Sequence, residues 1–260
     1  MSDSIALEVS GLHVEYPNEP AGIREVSFSI PCGMVLGIIG ESGSGKSTVC
    51  RALLGLLAGK ASSWGGTIAL DGRDITKLGS NERRKLNGKA IAYVAQDPVA
   101  AFDPCMKIQG HFIETLRAHI RCSKRDACLR GEQLLSQVGL SDTRRIMRSY
   151  PCQLSGGMLQ RIMIALALSF NPSLIVADEP TASLDARNAA LVSDLLMHVV
   201  HAQKQAMLLI SHDIRIMAKM ADELAVMRDG RIIEQGSAEE ILFAPQHEYT
   251  KELMGALALC

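Results

Sequence analysis

Eight residues near the start of the chain have the types and the spacing of a phosphate-binding loop. They fit the P-loop pattern G-x-x-x-x-G-K-[ST], with an apolar run before them and helix-forming sequence after them. Glycines let a backbone wrap around phosphates without side-chain clashes, so that successive N–H groups and a helix N-terminus face the anion. We expect Lys46 to reach the β- and γ-phosphates and Ser47 to offer its hydroxyl to Mg²⁺. The predicted nucleotide-binding residues of this segment are Gly40, Glu41, Ser42, Gly43, Ser44, Gly45, Lys46, Ser47 and Thr48.

A second segment, residues 174–179, is a short apolar run that ends in two carboxylates. A Mg-nucleotide site needs an acid that holds the metal or its waters, and Asp178 fits this role. Glu179 is placed to orient or deprotonate an attacking water. An apolar run that ends in Asp-Glu is common in itself and often marks a surface turn. Downstream of a P-loop it predicts the metal-holding and catalytic carboxylates.

Between these segments lies the sequence LSGGMLQR, residues 154–161, at the start of a predicted helix over 158–170. It resembles the signature motif of ABC ATPases, which reads LSGGQ in most members and is lacking in other P-loop ATPases. Ser155, Gly156 and Gly157 can offer a hydroxyl and backbone amides to a phosphate. Met158 replaces the usual glutamine. We expect no loss of activity from this change, because the nucleotide contacts come mainly from the serine and the glycines.

The resemblance implies roles for further residues. Gln96 is similar to the Q-loop glutamine, which contacts Mg²⁺ or the water and reports the γ-phosphate to the helical region. Residues 183–185 resemble the D-loop, and His212 resembles the switch histidine that contacts the γ-phosphate. Tyr16 stands where the family has an aromatic that stacks on adenine. ATP and Mg²⁺ are thus the implied cofactors, with catalytic residues Glu179, His212 and Gln96, metal-site residues Ser47, Gln96 and Asp178, and further nucleotide contacts from Tyr16, Ser155, Gly156 and Gly157.

The elements that must position these residues alternate between strands and helices. Apolar patterns predict strands over 6–14, 26–30, 34–39, 174–177, 207–210 and 224–227, and helices over 46–57 and 191–200. Strand-helix alternation favours a mainly parallel, helix-covered sheet. The resemblance extends over residues 7–249 and implies an α/β fold with a P-loop NTPase core, an N-terminal antiparallel β subdomain and a helical subdomain near 98–155. We place the ATP-binding domain at 5–250 and a short tail at 251–260.

Composition narrows the choice of partners. The 27 basic residues are balanced by 28 acidic ones, so no excess of positive charge points to nucleic acid. No stretch approaches the roughly 18 apolar residues of a membrane-spanning helix, and the N-terminus lacks the pattern of a signal peptide. Seven scattered cysteines include no Cys-x-x-Cys pair, so we expect reduced thiols. These features predict a chain that stays on the cytosolic side of the membrane.

Transport is the activity that the resemblance implies. The expected assembly is an importer with two membrane-spanning permease subunits, a second ATPase subunit and, indirectly, an extracytoplasmic solute-binding protein. In this family two ATPase domains pack head to tail, and the second is a different, paired chain or another copy. A non-transport ATPase acting on DNA or ribosomes is the alternative. It is disfavoured because the chain has one P-loop, one signature and no coiled-coil insertion between them. Intact Lys46, Asp178, Glu179 and His212 argue against a non-catalytic partner.

Several segments are similar to the peptide and nickel import branch of the family. They are Met158-Leu159-Gln160-Arg161, Asp97-Pro98, Phe102-Asp103-Pro104 and the motif at residues 245–250. The residues of the signature segment, LSGGMLQR, and the short C-terminal region favour nickel or a metal chelate as the transported solute. Dipeptides or oligopeptides are the alternative. His198 and His201 are interpreted as packed or exposed side chains and not as metal ligands. The expected location is the cytoplasmic face of the inner membrane.

Overall fold

Two β-sheets form the framework of the computed structural model, which describes residues 4–17, 19–57 and 61–257. An antiparallel sheet has the strand order β2-β1-β4-β5, and a six-stranded sheet has the order β10-β9-β3-β8-β7-β6. The strands are β1 (Ile5–Tyr16), β2 (Glu19–Pro31), β3 (Val35–Ile39), β4 (Ser63–Leu70), β5 (Arg73–Asp74), β6 (Ile91–Val94), β7 (Leu174–Asp178), β8 (Ala206–Ile210), β9 (Glu223–Arg228) and β10 (Arg231–Ser237).

The six-stranded sheet is mainly parallel, because β3 pairs in parallel with β8 and β9, and β7 pairs in parallel with β6 and β8. Only β10 runs antiparallel, at the edge beside β9. The strands β3 and β8 are continuous apolar runs and are buried along their whole length. Such runs are typical of parallel strands that are covered on both faces. The predicted α/β class, with its separate antiparallel sheet, is confirmed.

Helices pack on the parallel sheet and also form a cluster between β6 and β7. Helices α3, α4 and α5 and a 3₁₀ turn at Pro151–Gln153 make up that cluster, within the segment where the sequence predicts a helical subdomain. The helices are α1 (Lys46–Leu53), α2 (Ser80–Leu86), α3 (Ile108–His119), α4 (Lys124–Gln137), α5 (Thr143–Arg148), α6 (Gly156–Ala167), α7 (Ala186–Gln203), α8 (Ile214–Met220), α9 (Ala238–Phe243) and α10 (Glu248–Leu257).

Alternate residues of the central strands pack into two separate cores. In β3, Val35 and Ile39 join a cluster that includes the helical segment, whereas Leu36 and Ile38 face the antiparallel sheet. Successive strand side chains point to opposite faces, so one strand serves both cores. The loops at the ends of the central strands are therefore held on a rigid support.

All three predicted helices differ from the observed ones, and α6 covers Gly156–Ala167 instead of the predicted 158–170. Helix α1 ends at Leu53 and not at residue 57, because Gly55 adopts a positive φ of 69° that ends the helix. The Arg83 guanidinium also binds the last carbonyls, with Nη2 donating to the oxygens of Ala52 and Leu53 at 3.0 Å. Helix α7 is longer than the predicted 191–200, and Leu191, where the predicted helix begins, is 46% exposed.

The end of the described chain is helical. Residues 251–257, which the sequence sets apart as a tail, continue α10, and residues 258–260 lie outside the described residues. Among the helices that the structure describes, none combines the length and the apolar character needed to cross a membrane.

We predict that Ile38→Ala lowers the free energy of unfolding by about 2–5 kcal/mol, because it leaves a cavity between β3 and the antiparallel sheet. Ile38 is fully buried. Urea denaturation followed by circular dichroism measures the change. Ile120→Ala is the matched control at a largely exposed position, with an expected change within about 0.5 kcal/mol. Equal effects of the two substitutions would contradict the position of β3 in the core.

Candidate functional site

Four neighbouring strands of the parallel sheet deliver predicted site residues to one edge. The phosphate-binding loop follows β3, His212 follows β8, Asp178 and Glu179 end β7, and Gln96 follows β6. Parallel pairing sets the carboxyl ends of these strands side by side, where ligands bind in open α/β sheets. A cavity of about 470 Å³ at this edge is lined by Gly40, Ser42, Gly43, Gly45, Lys46, Ser47, Thr48, Arg51, Gln96, Asp178, Glu179, Ile210 and His212.

The backbone of the phosphate-binding loop depends on glycine at two close contacts. Gly40 has a φ of 153°, and a Cβ atom there would lie 2.2 Å from the carbonyl oxygen of Met227. Gly45 has a φ of 108°, and a Cβ atom there would lie 2.7 Å from Ile23 Cγ2. Gly45 directly precedes α1 and has no side chain to cap it. The first amide groups of α1 can therefore donate to an anion.

Lys46 lies against the loop that it follows. Its Nζ donates to the carbonyl oxygens of Gly40 at 2.8 Å and Glu41 at 2.7 Å, and to Ser44 Oγ at 3.2 Å. Burial lowers the pKa of Lys46, while the nearby carboxylates of Glu179, Asp178 and Glu41 act in the opposite direction. The ammonium group is thus surrounded by oxygen acceptors at the cavity, as expected for a residue that binds phosphate oxygens.

Asp178 is the last residue of β7 and reaches the same cavity. Burial raises the pKa of its carboxyl group, and the nearby Glu179 carboxylate adds to this effect. The Tyr93 hydroxyl donates to Asp178 Oδ2 at 3.3 Å, and Lys46 lies close enough to favour the ionised form. A partly buried carboxylate beside a second one is a site where a divalent cation relieves the repulsion.

Glu179 and His212 are in direct contact. His212 Nδ1 lies 2.7 Å from Glu179 Oε1, although 33 residues separate them in the chain. Glu179 has a positive φ of 50°, and its N–H donates to the Ile210 carbonyl at 2.8 Å. A left-handed conformation at a non-glycine residue costs about 1 kcal/mol or more and is kept only where the surroundings enforce it. This turn places the carboxylate beside the strand that carries His212.

A buried glutamine supports this turn. Gln160 of α6 is fully buried, and its Nε2 donates to the carbonyl oxygen of Pro180 at 2.8 Å. Pro180 directly follows Glu179, so helix α6 is tied to the turn that carries Glu179. The sequence gives Gln160 no role beyond its place in the motif, because the contact joins segments that only the fold brings together.

The residues of the signature segment do not line the cavity of the phosphate-binding loop. Ser155 caps the N-terminus of α6, and its Oγ accepts from the Met158 N–H at 3.3 Å. A Cβ atom on Gly156 would meet no other atom within 4 Å, so this part of the backbone is open to an approaching group. Met158 packs partly buried against the core. The segment therefore presents open backbone at the start of α6, outside the cavity at Lys46.

Three other predicted residues lie outside the lining of the cavity. Glu41 and Ser44 belong to the loop, but their side chains are not part of its inner surface, and Ser44 Oγ accepts from Lys46. Tyr16, at the end of β1, lines a separate cavity together with Ile23 and Arg24. That cavity adjoins the loop, since Ile23 lies next to Gly45. Stacking of Tyr16 on adenine stays a prediction.

Arg51 lines the cavity, and the sequence interpretation gave it no role. It lies in the last turn of α1, four residues after Ser47. A position four residues on lies on the same side of a helix, so helical spacing from Ser47 is the signal that could have identified it.

The donors and acceptors of the cavity fit a magnesium nucleotide. Loop amides and the ammonium group of Lys46 suit phosphate oxygens, whereas the Ser47 hydroxyl, the Gln96 amide oxygen and the Asp178 carboxylate are oxygen ligands of the kind that Mg²⁺ prefers. Burial raises the pKa of Asp178, so a bound cation would stabilise its ionised form. The residues present therefore match the group that the motifs imply.

Comparison with known proteins agrees with this geometry. Residues 23–182 match the family model described as ABC transporter. The chain is 38% identical over 254 residues to the dipeptide transport ATP-binding protein DppD of Escherichia coli, covering 96% of this chain and 78% of that protein. It is 40% identical over 232 residues to the metal-staphylopine import system ATP-binding protein CntD of Staphylococcus aureus, covering 89% and 85% respectively.

A solved structure is similar over nearly the whole fold. It is the dimeric ATP-binding cassette MJ0796 in a post-hydrolysis state bound to ADP and Pi. The TM-score is 0.77 at 25% identity, covering 89% of this chain and 98% of that one.

We predict that Lys46→Ala weakens ATP binding by about 10- to 100-fold, because a charged hydrogen bond to phosphate is lost. Isothermal titration calorimetry with the isolated chain measures the affinity. Lys77→Ala, at an exposed turn, is the matched control and should bind ATP as the parent does. Parental affinity and turnover in Lys46→Ala would contradict the assignment of the loop.

Asp178→Asn should raise the melting temperature in metal-free buffer at pH 7, while Mg-dependent ATP turnover falls by about 100-fold or more. Burial raises the pKa of Asp178 in the folded chain above its unfolded value. Above the ordinary aspartate pKa, the buried Asp178 carboxylate therefore lowers the free energy of unfolding. Below that pKa the carboxyl group is protonated in both the folded and the unfolded chain, so this destabilisation is absent.

The increase in melting temperature that Asp178→Asn causes should disappear as the pH falls below about 4, the ordinary aspartate pKa. Differential scanning fluorimetry across pH measures this dependence. Asp74→Asn is the control of opposite sign, because hydrogen bonds from Thr76 lower the pKa of Asp74. A melting temperature that falls at pH 7 in Asp178→Asn would show that the charge is compensated by the protein.

Proposed function

Because this chain belongs to the ABC transporter family and is the ATP-hydrolysing subunit of an import system, we propose that it drives uptake of nickel or a metal chelate. It does so with Mg-ATP at the cytoplasmic face of the membrane, through separate membrane subunits. The observation that supports the chemistry is the 2.7 Å contact between Glu179 and His212 at the cavity that Lys46 and Asp178 also line.

The chain's own residues divide the work of hydrolysis. Loop amides and Lys46 would bind the β- and γ-phosphates, and Ser47, Gln96 and Asp178 would hold a magnesium ion, which would supply neutralisation of charge on the phosphate oxygens. Glu179 accepts a proton from the water whose oxygen attacks the γ-phosphorus, while the bond to the bridging oxygen breaks and ADP leaves. His212 keeps the Glu179 carboxylate directed at that water.

A second ATPase subunit completes the site in this proposal. Ser155, Gly156 and Gly157 lie outside the cavity of their own chain, although their hydroxyl and amides suit a phosphate. In a head-to-tail pair, this segment of one subunit would close over the nucleotide bound by Lys46 of the other. The dimeric state of the similar cassette supports this arrangement. The second subunit is a different, paired chain or a second copy.

We further propose that a second groove, which shares no lining residue with the cavity at Lys46, takes up a segment of a membrane subunit. It has a volume of about 880 Å³ and lies between the end of α1, α2 and the end of α3. Leu56 is 53% exposed there, and Arg83 carries a buried Nη1 atom without a hydrogen-bond partner among the described residues. An amphipathic segment with an acidic residue complements these features. Because α1 begins at Lys46, a change in the phosphate-binding loop that moves α1 would also move the surface that contacts a partner in the groove.

Two cargo classes are supported by relatives of similar identity. The metal-staphylopine import relative is 40% identical, and this chain spans 85% of it. The dipeptide and oligopeptide transport relatives of Escherichia coli are 38% and 36% identical, and this chain spans 78% and 75% of them. The greater identity supports a metal or metal chelate. Import of dipeptides or oligopeptides by the same ATPase chemistry is the second candidate.

The test uses Glu179→Gln, which keeps the size of the side chain and removes the proton acceptor. We expect ATP binding to persist and turnover to fall by about 100-fold or more. Cells that lack the gene should accumulate less nickel in metal-limited medium, and the intact chain should restore accumulation while Glu179→Gln does not. Radioactive nickel uptake and colorimetric ATPase assays provide the measurements.

Uptake of a labelled dipeptide is measured in the same cells as the control for cargo. Unchanged nickel uptake together with a loss of dipeptide uptake would replace the metal proposal with the peptide one and leave the ATPase role intact. Parental turnover in Glu179→Gln would instead contradict the choice of catalytic carboxylate.

A further inference from the structure

The C-terminal helix touches the phosphate-binding loop. The N–H of Glu41 donates to the Tyr249 hydroxyl oxygen at 3.4 Å, across 208 residues of chain. Tyr249 is only 4% exposed, whereas Glu41 lies at the surface, so the contact is partly buried. Burial raises the pKa of the Tyr249 phenol further above physiological pH. The contact joins α10 to the second residue of the loop.

Helix α10 is itself fixed at its N-terminal end. The Glu234 carboxylate accepts from the N–H groups of Gln246 at 2.6 Å and His247 at 3.2 Å. His247 Nδ1 in turn accepts from the Tyr249 N–H at 3.1 Å. These bonds determine where the helix begins, and the position of Tyr249 follows from that start. The segment that the sequence marks only as a branch motif, residues 245–250, is therefore an anchored structural unit.

The hairpin that carries Glu234 also contacts Tyr249 and the loop. The Arg228 guanidinium at the end of β9 lies 4.5 Å from the centre of the Tyr249 ring. Between β9 and β10, the Gly230 N–H donates to the Ser44 carbonyl at 3.1 Å. Hairpin and helix thus contact the loop at two separate points, Ser44 and Glu41. A cation over a tyrosine ring adds to the stability of such packing.

Glu41 is held on both sides of its α-carbon. Its N–H meets Tyr249, and its carbonyl oxygen accepts from Lys46 Nζ at 2.7 Å. The residue that helps to hold the Lys46 ammonium is therefore itself held by the C-terminal helix. A loop that is fixed before the nucleotide arrives loses less conformational freedom on binding.

We propose that Tyr249 is a positioning residue for ATP, because its hydroxyl fixes the start of the phosphate-binding loop through the Glu41 amide. Tyr249 acts through the loop and does not itself touch the reacting atoms. Loss of the hydroxyl is expected to weaken nucleotide binding and to leave the chemical step unchanged, since Glu179, His212 and Asp178 lie on other strands.

Tyr249→Phe tests this proposal, because it keeps the ring and its contact with Arg228 and removes only the hydroxyl. We expect the KM for ATP and the dissociation constant of the isolated chain to rise about five-fold, the ratio that one neutral hydrogen bond typically supports. We expect kcat to stay within about two-fold of the parent. Steady-state ATPase kinetics and binding of a fluorescent ATP analogue measure these quantities, and differential scanning fluorimetry checks the fold.

Tyr150→Phe is the matched control, since it removes a hydroxyl from a largely exposed tyrosine before the signature segment. It should leave the affinity of the isolated chain for ATP unchanged. Glu234→Gln is a second variant, which weakens the anchor of α10 and should raise the KM in the same direction by a smaller factor.

Parental affinity in Tyr249→Phe would overturn the proposal. A parallel loss of affinity, kcat and melting temperature would also overturn it, in favour of a packing role. If Tyr249→Phe does not fold, a parental KM in Glu234→Gln decides against the proposal and a raised KM supports it. Lys46→Ala in the same assays separates this outcome from a failure of the loop assignment itself.

Discussion

Parallel pairing of β3, β8, β7 and β6 is the constraint on which the site depends. It sets the carboxyl ends of four adjacent strands on one edge, so that residues far apart in the chain meet there. Because β3 and β8 are buried on both faces, neither strand can shift along its neighbour without exposing apolar residues. The rigidity of two packed cores is thereby transmitted to loops that are themselves rich in glycine. The polar groups at this edge are held in position by the apolar packing of the strands that precede them.

Electrostatic conflict is concentrated at the same edge. Asp178 and Glu179 are adjacent carboxylates, burial raises the pKa of the first, and burial lowers the pKa of Lys46. The positive φ of Glu179 adds backbone strain. Such features are typical of functional sites, where groups are held ready for a ligand at some cost in stability. Gln160 and the Ile210 carbonyl hold the turn from two sides.

Two surfaces link the nucleotide chemistry to other subunits in the proposed mechanism. The signature segment at Ser155 begins α6, and α6 reaches the catalytic turn through Gln160. The groove at Arg83 lies at the end of α1, and α1 begins at Lys46. Each surface is therefore one helix away from a catalytic or phosphate-binding group. A short helix is a stiff connection, so movement of either surface would displace the residues of the site.

The sequence by itself determined the features that depend on neighbouring residues. The phosphate-binding loop and the strand that ends in Asp178 and Glu179 follow from local patterns. The α/β class follows from the alternation of strands and helices along the chain, and the signature segment was identified by its resemblance to a family motif. Gln96 and His212 came from the family resemblance, and the structure places both at the cavity. The end of α1 does not follow from local sequence alone, because it depends on the distant Arg83 as well as on Gly55.

Only the tertiary structure decided which distant groups meet. The contact of Glu179 with His212, the bond from Gln160 to Pro180 and the bond between Glu41 and Tyr249 each join separate segments. Tyr16 was assigned by motif position, yet it lines a neighbouring cavity. Local sequence fixes which groups a segment can offer. Their partners depend on strand order and on the packing of two cores, which are properties of the whole chain.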